Sequence, residues 1–173
     1  MASLSRLFSP KSIAVVGGGD WCRSVIDQLK KFDYKGSLYI INKSKSIISG
    51  IKTHKSVDLL PRPPDSVFIG VNRDATIKIV GELAELKAGG AVCFASGFKE
   101  SSNEDKKGLL ANEALKHASV GFRILGPNCY GFINALDNVA LWPDQHGCKP
   151  VKKGVAILTQ SSNMAINLTM QSR

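Results

Sequence analysis

Short apolar runs alternate with amphipathic stretches along most of the chain. Residues 12–16 (SIAVV) form the first run and lead into Gly17-Gly18-Gly19, the pattern of a buried strand feeding a glycine-rich turn. Residues 24–32 follow, with Val25, Ile26, Leu29 and Phe32 on one side of a helix. Gly36 breaks that helix, and residues 38–41 (LYII) predict a second strand. Residues 42–55 are polar and irregular. Residues 57–60 predict one helical turn before Pro61, Pro63 and Pro64 stop it.

The pattern then repeats. Residues 66–71 (SVFIGV) predict a third strand, and Asp74 caps a helix carrying Ile77, Val80, Leu83 and Leu86, which Gly89-Gly90 ends. Residues 91–95 (AVCFA) predict a fourth strand. A helix over 103–118 follows, with Ser101 or Ser102 as its cap and Glu104 and Asp105 suiting the dipole of its first turn. Residues 122–125 and 154–159 (GVAILT) predict a fifth and a sixth strand, 135–153 reads as loop, and a last helix begins near Asn163.

Strands alternating with helices imply right-handed βαβ units, hence an α/β, doubly wound, Rossmann-like parallel sheet with helices on both faces. Such sheets bind ligands beyond the carboxyl ends of their strands. The pocket is therefore expected above Gly17, Asn42, Val71 and Ala95. Residues 1–150 make one domain. The strand and helix after 151 are too little for another, so 151–173 reads as the start of a truncated second domain.

Composition narrows the field. The chain has 173 residues, 43% hydrophobic and 21% charged, ordinary values for a globular protein. No apolar run approaches the ~18 residues of a membrane span, and residues 1–10 carry no signal-peptide core. Cys22, Cys93, Cys129 and Cys148 are scattered, as are His54, His117 and His146. That spacing fits neither a disulfide framework nor a metal site and suits the cytoplasm. The net charge of +9 is spread along the chain, without the basic run and interleaved aromatics of a nucleic-acid binder. A multiply phosphorylated small ligand remains, alongside a merely solvated basic surface.

The loops after each strand divide the chemistry. Gly17 and Gly19 fill the first two positions of a GxGxxG turn, where Cys22 replaces the third glycine; with Gly18 and Asp20 they are candidate phosphate contacts. After the second strand an NAD site needs an acidic residue for the ribose hydroxyls. Here Asn42, Lys43 and Lys45 favour a phosphorylated ribose, as in NADP or coenzyme A. Val71, Asn72 and Arg73 follow the third strand. Ser96, Gly97 and Phe98 combine a hydroxyl, a flexible backbone and an aromatic wall. Asn128 and Cys129 lie in the turn-rich segment 126–131, where the thiol reads as buried and inert. No catalytic residue is assigned.

Together these segments resemble the CoA-binding domain of the NDP-forming acyl-CoA synthetases, which include succinyl-CoA synthetase α-subunits and ADP-forming acetyl-CoA synthetases. Residues 7–17 (LFSPKSIAVVG), Ile41-Asn42 with Ile48 and Gly50, residues 95–100 (ASGFKE), residues 125–131 (LGPNCYG) and residues 159–162 (TQSS) carry the similarity. Lys43 and Ser44 stand where the family has Pro and Lys, and Asn163 replaces a second-domain glycine.

The resemblance implies CoA as ligand and the reaction acyl-CoA, ADP and phosphate to acid, CoA and ATP. It implies that 151–173 opens a succinyl-CoA-synthetase-like, flavodoxin-like domain. It places the phosphoryl-carrying histidine, the ATP/ADP site and magnesium elsewhere, in the remainder of the same polypeptide or an ATP-grasp subunit, with no nucleic acid or membrane as partner. An NADP-binding oxidoreductase domain and the CoA-binding regulatory part of a protein acetyltransferase stay open as alternatives.

Overall fold

A computed structural model describes residues 4–99 and 106–171. The expected caps at Ser101 or Ser102, the acidic first turn and the helix start at Asn103 lie outside the described residues. The elements in chain order are α1 (Ser5–Phe8), β1 (Ser12–Val16), α2 (Asp20–Lys31), β2 (Ser37–Ile41), β3 (Ile47–Ile48) and β4 (Ile51–His54). After a short 3-10 turn (Val57–Leu59) come β5 (Ser66–Ile69), α3 (Arg73–Glu85), β6 (Ala91–Cys93), α4 (Lys106–Ala118), β7 (Ile124–Leu125), β8 (Phe132–Asn134), β9 (Val139–Leu141) and α5 (Ser162–Met170).

Seven strands form one sheet in the order β3-β4-β2-β1-β5-β6-β7. All neighbours are parallel except β3, which pairs antiparallel with β4. Counting only the parallel strands, the order is that of a doubly wound sheet, and the winding reverses between β1 and β5. The expected fold class is therefore the observed one.

The two-residue period of the strands sorts the core into two layers. Ala14, Val16, Val67, Ile69, Ala91 and Cys93 point to one face, where they pack with Val80 and Leu83 of α3 and Ala111 and Leu115 of α4. Ile13, Val15, Ile40, Phe68 and Val92 point to the other, against Cys22, Val25, Ile26 and Leu29 of α2 and Val139 and Leu141 of β9. The β8–β9 hairpin thus covers sheet surface that a helix covers in a regular repeat.

Several expected elements differ. Residues 42–55 are not irregular: β3 and β4 close around Ser49 and Gly50, with φ of 50° and 79°. Positive φ at both positions is the tight hairpin geometry, and β-branched Ile47, Ile48, Ile51 and Thr53 supply the strands. The stretch 135–153 is not all loop, because buried Val139, Ala140 and Leu141 pair with β8. The sixth strand expected at 154–159 does not form. Val155 is 91% and Leu158 94% exposed, and no described strand offers that run a partner. The cap of α3 is Asn72, whose side chain accepts from the Ala75 N–H, rather than Asp74, which sits inside the first turn.

At the amino edge of the sheet one carboxylate ties α1 to β1. Arg6 Nε donates to Asp65 Oδ1 at 2.7 Å, while Asp65 Oδ2 accepts the Lys11 and Ser12 N–H groups at 3.0 and 3.2 Å. Partial burial alone would raise the Asp65 pKa, but the hydrogen bonds from Arg6, Lys11 and Ser12 outweigh it and hold the carboxyl below its ordinary range. The contribution is complete above about pH 4, where the unfolded carboxyl is also ionised, and is lost as pH falls through the lower folded value. Asp65→Asn is expected to cost about 1–3 kcal/mol at neutral pH. Urea unfolding at pH 7 and pH 3 checks this: the gap between the two proteins must narrow at the lower pH.

Candidate functional site

The switch point of the sheet is built on a close approach. Gly17 follows β1 with φ +125°, and a Cβ there would lie 2.7 Å from both the Gly70 carbonyl oxygen and Cys22 Sγ. A Cβ on Gly70 would also strike Cys22 Sγ. The Cys22 thiol fills the space between the two backbones, pointing at the Val16 and Gly70 carbonyls at 3.5 and 3.6 Å. Burial pushes its pKa up to about 11. Cys22 thus occupies the fingerprint's third position as a packing wedge, which leaves no room for side chains at Gly17 and Gly70. Gly18 is closed off by Asn42 Nδ2. Gly19, the first-turn cap of α2, has no heavy atom within 4 Å of where a Cβ would sit. Asp20 is exposed beside it.

The turn after β2 is braced by Asn42. Its N–H donates to the His54 carbonyl at 2.9 Å, and its Oδ1 accepts the Ser44 and Lys45 N–H groups at 3.0 and 2.8 Å. Lys55 Nζ donates to the Lys43 carbonyl at 3.0 Å. The Lys43 and Lys45 side chains are exposed, and neither belongs to an ion pair among the described residues.

Across the switch point an open groove of about 520 Å³ is lined by Val71, Asn72, Arg73, Asp74, Phe94, Ala95 and Ser96. Arg73 Nη1 donates to the Gly97 carbonyl at 2.8 Å and so ties the loop after β5 to the loop after β6. Asn72 is engaged in capping α3. Phe98 does not wall this groove as expected: its side chain is fully buried, packed in the core with α4. It anchors the loop from below, where Gly108 of α4 comes close to the Phe98 carbonyl.

The segment after β7 completes the rim. The Asn128 N–H donates to the Ala95 carbonyl at 2.9 Å and the Cys129 N–H to the Cys93 carbonyl at 3.2 Å, so the segment leans on the end of β6. Asn128 is exposed with φ 55°; Cys129 is only half-buried. Burial raises both thiol pKa values, Cys93 to about 12, and neither thiol is ionised near neutral pH.

The four loops expected to share one pocket all follow adjacent strands, but only those after β5 and β6 line the groove; the turns at Gly17 and Asn42 lie beside it, outside its lining. Sequence reasoning missed the rings among them. Trp21, Phe94 and Tyr130 have centroids 5.4, 5.5 and 6.1 Å apart, and Tyr130 continues to Trp142 at 5.3 Å. Trp21 lies two positions beyond Gly19 and Phe94 one beyond β6, a signal open to the sequence; Tyr130, five positions beyond β7, carried none. A second groove, about 570 Å³, lies at the opposite, amino ends of β1 and β2. Tyr34 there donates to the Pro10 carbonyl at 3.0 Å and serves the fold.

A glycine turn at the switch point of a doubly wound sheet, with lysines rather than an acid after β2, defines a domain for phosphorylated nucleotide cofactors. Comparison with known proteins narrows that class: the profile of the CoA binding domain family matches residues 11–135, and the chain belongs to that family. A trans-feruloyl-CoA synthase from an unknown prokaryotic organism is 30% identical over 94% of this chain and 24% of its own length. An ADP-forming acetate–CoA ligase from Archaeoglobus fulgidus is 32% identical over 91% of this chain and 23% of its own. The chain therefore spans about a quarter of these relatives.

Among solved structures, PH0766 from Pyrococcus horikoshii OT3 superposes with a TM-score of 0.84 at 28% identity, covering 96% of this chain and 38% of that one. A dinucleotide forming acetyl-coenzyme A synthetase 1 from Ca. Korarchaeum cryptofilum, in complex with phosphate and ADP, gives 0.76 at 27%, covering 98% and 36%.

The two outer glycines of the turn are expected to behave differently on substitution. Gly17→Ala should lose about 2 kcal/mol or more, from the positive φ and the clash with Gly70. Gly19→Ala should stay within about 1 kcal/mol of wild type, as a capping exchange in open space. Chemical denaturation of both variants measures the contrast.

Proposed function

We propose that the chain is the coenzyme A-holding portion of an ADP-forming acid–CoA ligase, which interconverts acyl-CoA, ADP and phosphate with acid, CoA and ATP. The carrying observation is the open Gly19 turn beside Lys43 and Lys45 on the adjacent strand end, both exposed and in no ion pair among the described residues. A phosphorylated ribose suits the lysines, and a pyrophosphate suits backbone N–H groups at the start of α2. The residues present therefore fit the coenzyme. In this reading Gly17 and Gly18 shape the turn, and Asp20 and Asn42 border it. Val71, Asn72 and Arg73 flank the path of the pantetheine arm, with Ser96 and Gly97 facing them. Asn128 and Cys129 close the far rim, and Phe98 supports it from the core. CoA, once bound, supplies the thiol that accepts the acyl group; these residues hold and orient it.

The activating chemistry belongs elsewhere in this reading. The exposed apolar run in 151–160 and α5, none of whose residues is buried, are the opening unit of a second domain. The relatives' names suit both arrangements of the remainder, since one match is named as a ligase with no subunit given and another, from Pyrococcus furiosus, as a subunit alpha. The partner is then the rest of the same polypeptide or an ATP-grasp subunit carrying ATP/ADP and magnesium. No helix among the described residues is long and apolar enough to cross a membrane. We place the protein in the cytoplasm on its scattered free thiols.

Calorimetry tests the reading. CoA is expected to bind, and dephospho-CoA about 10- to 100-fold more weakly, the worth of a charge-assisted phosphate contact. Replacing Lys43 and Lys45 together by Ala should erase that difference, and Gly19→Ala should weaken CoA itself. NADP binding more tightly than CoA would instead support the oxidoreductase reading.

Turnover gives a second check. The 173-residue chain, incubated with acetate, CoA, ATP and magnesium, is expected to form no acyl-CoA. Its sequence has no GxxxxGK[ST] loop to organise nucleotide phosphates. Sustained acyl-CoA and ADP production by the purified chain would show that it carries its own activating site.

A further inference from the structure

We infer that the groove at the amino ends of β1 and β2 is a docking site for an acidic polypeptide segment that carries an apolar side chain. It lies at the end of the sheet opposite the proposed coenzyme site, so it does not rest on that reading, and both sites can be filled together. One wall of the groove is Tyr34, whose hydroxyl is held by the Pro10 carbonyl. The floor beside it is tightly packed, since a Cβ on Gly36 would strike the Tyr34 hydroxyl and the Lys11 carbonyl. The other wall is the tip of the β8–β9 hairpin, at Leu136.

That tip is braced. Asn134 Oδ1 accepts the Leu136 and Asp137 N–H groups at 3.1 and 3.3 Å, and Asn134 Nδ2 donates to the Phe8 carbonyl at 2.9 Å and to Asp137 Oδ2 at 2.8 Å. Ser9 Oγ donates to the same Asp137 oxygen at 2.6 Å, so the turn is pinned to the end of α1. On this fixed turn Leu136 stands 58% exposed. An apolar side chain held in solvent by a braced backbone has little further freedom to lose when a partner covers it, which suits an interface anchor.

The charge around the groove sets the sign of the partner. Lys11 and Lys35 line it, and Arg62 donates to the hydroxyl of Ser37 in its lining at 3.1 Å. The Val151 N–H donates to the Ala135 carbonyl at 2.9 Å, which brings Lys152 and Lys153 to the same end of the hairpin. Lys11, Arg62, Lys152 and Lys153 are exposed and in no ion pair among the described residues. The neighbouring acids are engaged: Asp33 with Lys35, Asp65 with Arg6 and the Lys11 and Ser12 N–H groups, and Asp137 with Ser9 and Asn134. The free cations are spread along the rim on long stems and do not converge with backbone N–H groups on one point. That spacing suits carboxylates strung along a peptide better than a compact phosphate.

Fluorescence anisotropy with a labelled, capped peptide of glutamates around one leucine tests this. The peptide is expected to bind the chain at low salt, and about threefold or more weakly once its leucine is replaced by serine. Lys11→Gln with Arg62→Gln should weaken binding about fivefold or more. Leu136→Ser, which removes no charge, should weaken it about threefold. Lys43→Gln with Lys45→Gln, at the other end of the sheet, should leave it within about twofold of wild type. No binding at low salt overturns the inference, and so does a peptide affinity that Leu136→Ser leaves unchanged. An equal loss in the two lysine and arginine pairs also overturns it, since net charge alone would then hold the peptide. Displacement of the peptide by inorganic pyrophosphate or a single-stranded oligonucleotide, well below the salt concentration that displaces it, overturns it in favour of a phosphate ligand. Survival of CoA binding in Lys11→Gln with Arg62→Gln is a separate measurement and bears only on the coenzyme reading.

Discussion

The site depends on how closely the first turn of α2 approaches the ends of β1 and β5. Two backbones meet there at Gly17 and Gly70, with one sulfur, that of Cys22, between them. A side chain at either glycine would push helix and sheet apart. Because the glycines keep them together, the α2 amides stand at the switch point, and Gly19 is the one glycine of the turn left facing open space. The other loops are then set by their own anchors: Asn42 on its turn, Arg73 on Gly97, and the 126–131 segment on β6.

The sheet can hold this arrangement because both of its faces are closed, although by different means. Helices α3 and α4 close one face, and α2 with the β8–β9 hairpin closes the other. The hairpin continues into Trp142, which touches Tyr130, so covering the core and supporting the rim are done by one continuous piece of chain. Gln28 of α2 donates to the Asp144 carbonyl at 3.0 Å and holds the strap that follows.

The strand–helix alternation was legible because period-2 and period-3.6 patterns are strong over β1, α2, β5 and α3. The positions of the glycine turn and the lysine loop were legible because each directly follows a strand that the apolar runs mark. What escaped was pairing decided by contact rather than by pattern. The β3–β4 strands are too short to show alternation, and β9 is an apolar triplet inside a proline- and glycine-rich stretch. The run at 154–159 has strand composition without a strand partner. Phe98 follows a glycine at a strand end, as a wall residue would, yet the core takes its ring. The aromatic cluster draws its members from residues 21, 94 and 130 and exists only in three dimensions.

The basic turn after β2 has a further consequence. Lys43 and Lys45 stand in solvent on a backbone braced by Asn42 and Lys55. The brace fixes the loop but not the ammonium groups, which keep their hydration and their counterions. Their pull on a phosphate is screened over about 8 Å at physiological ionic strength. In the proposed coenzyme reading the glycine turn would act at contact distance through hydrogen bonds, which added salt weakens less than it weakens the pull of exposed charges. The two halves of the proposed grip would then respond differently to the medium: the ionic composition around the protein would weigh more on the lysines, and the backbone geometry more on the turn.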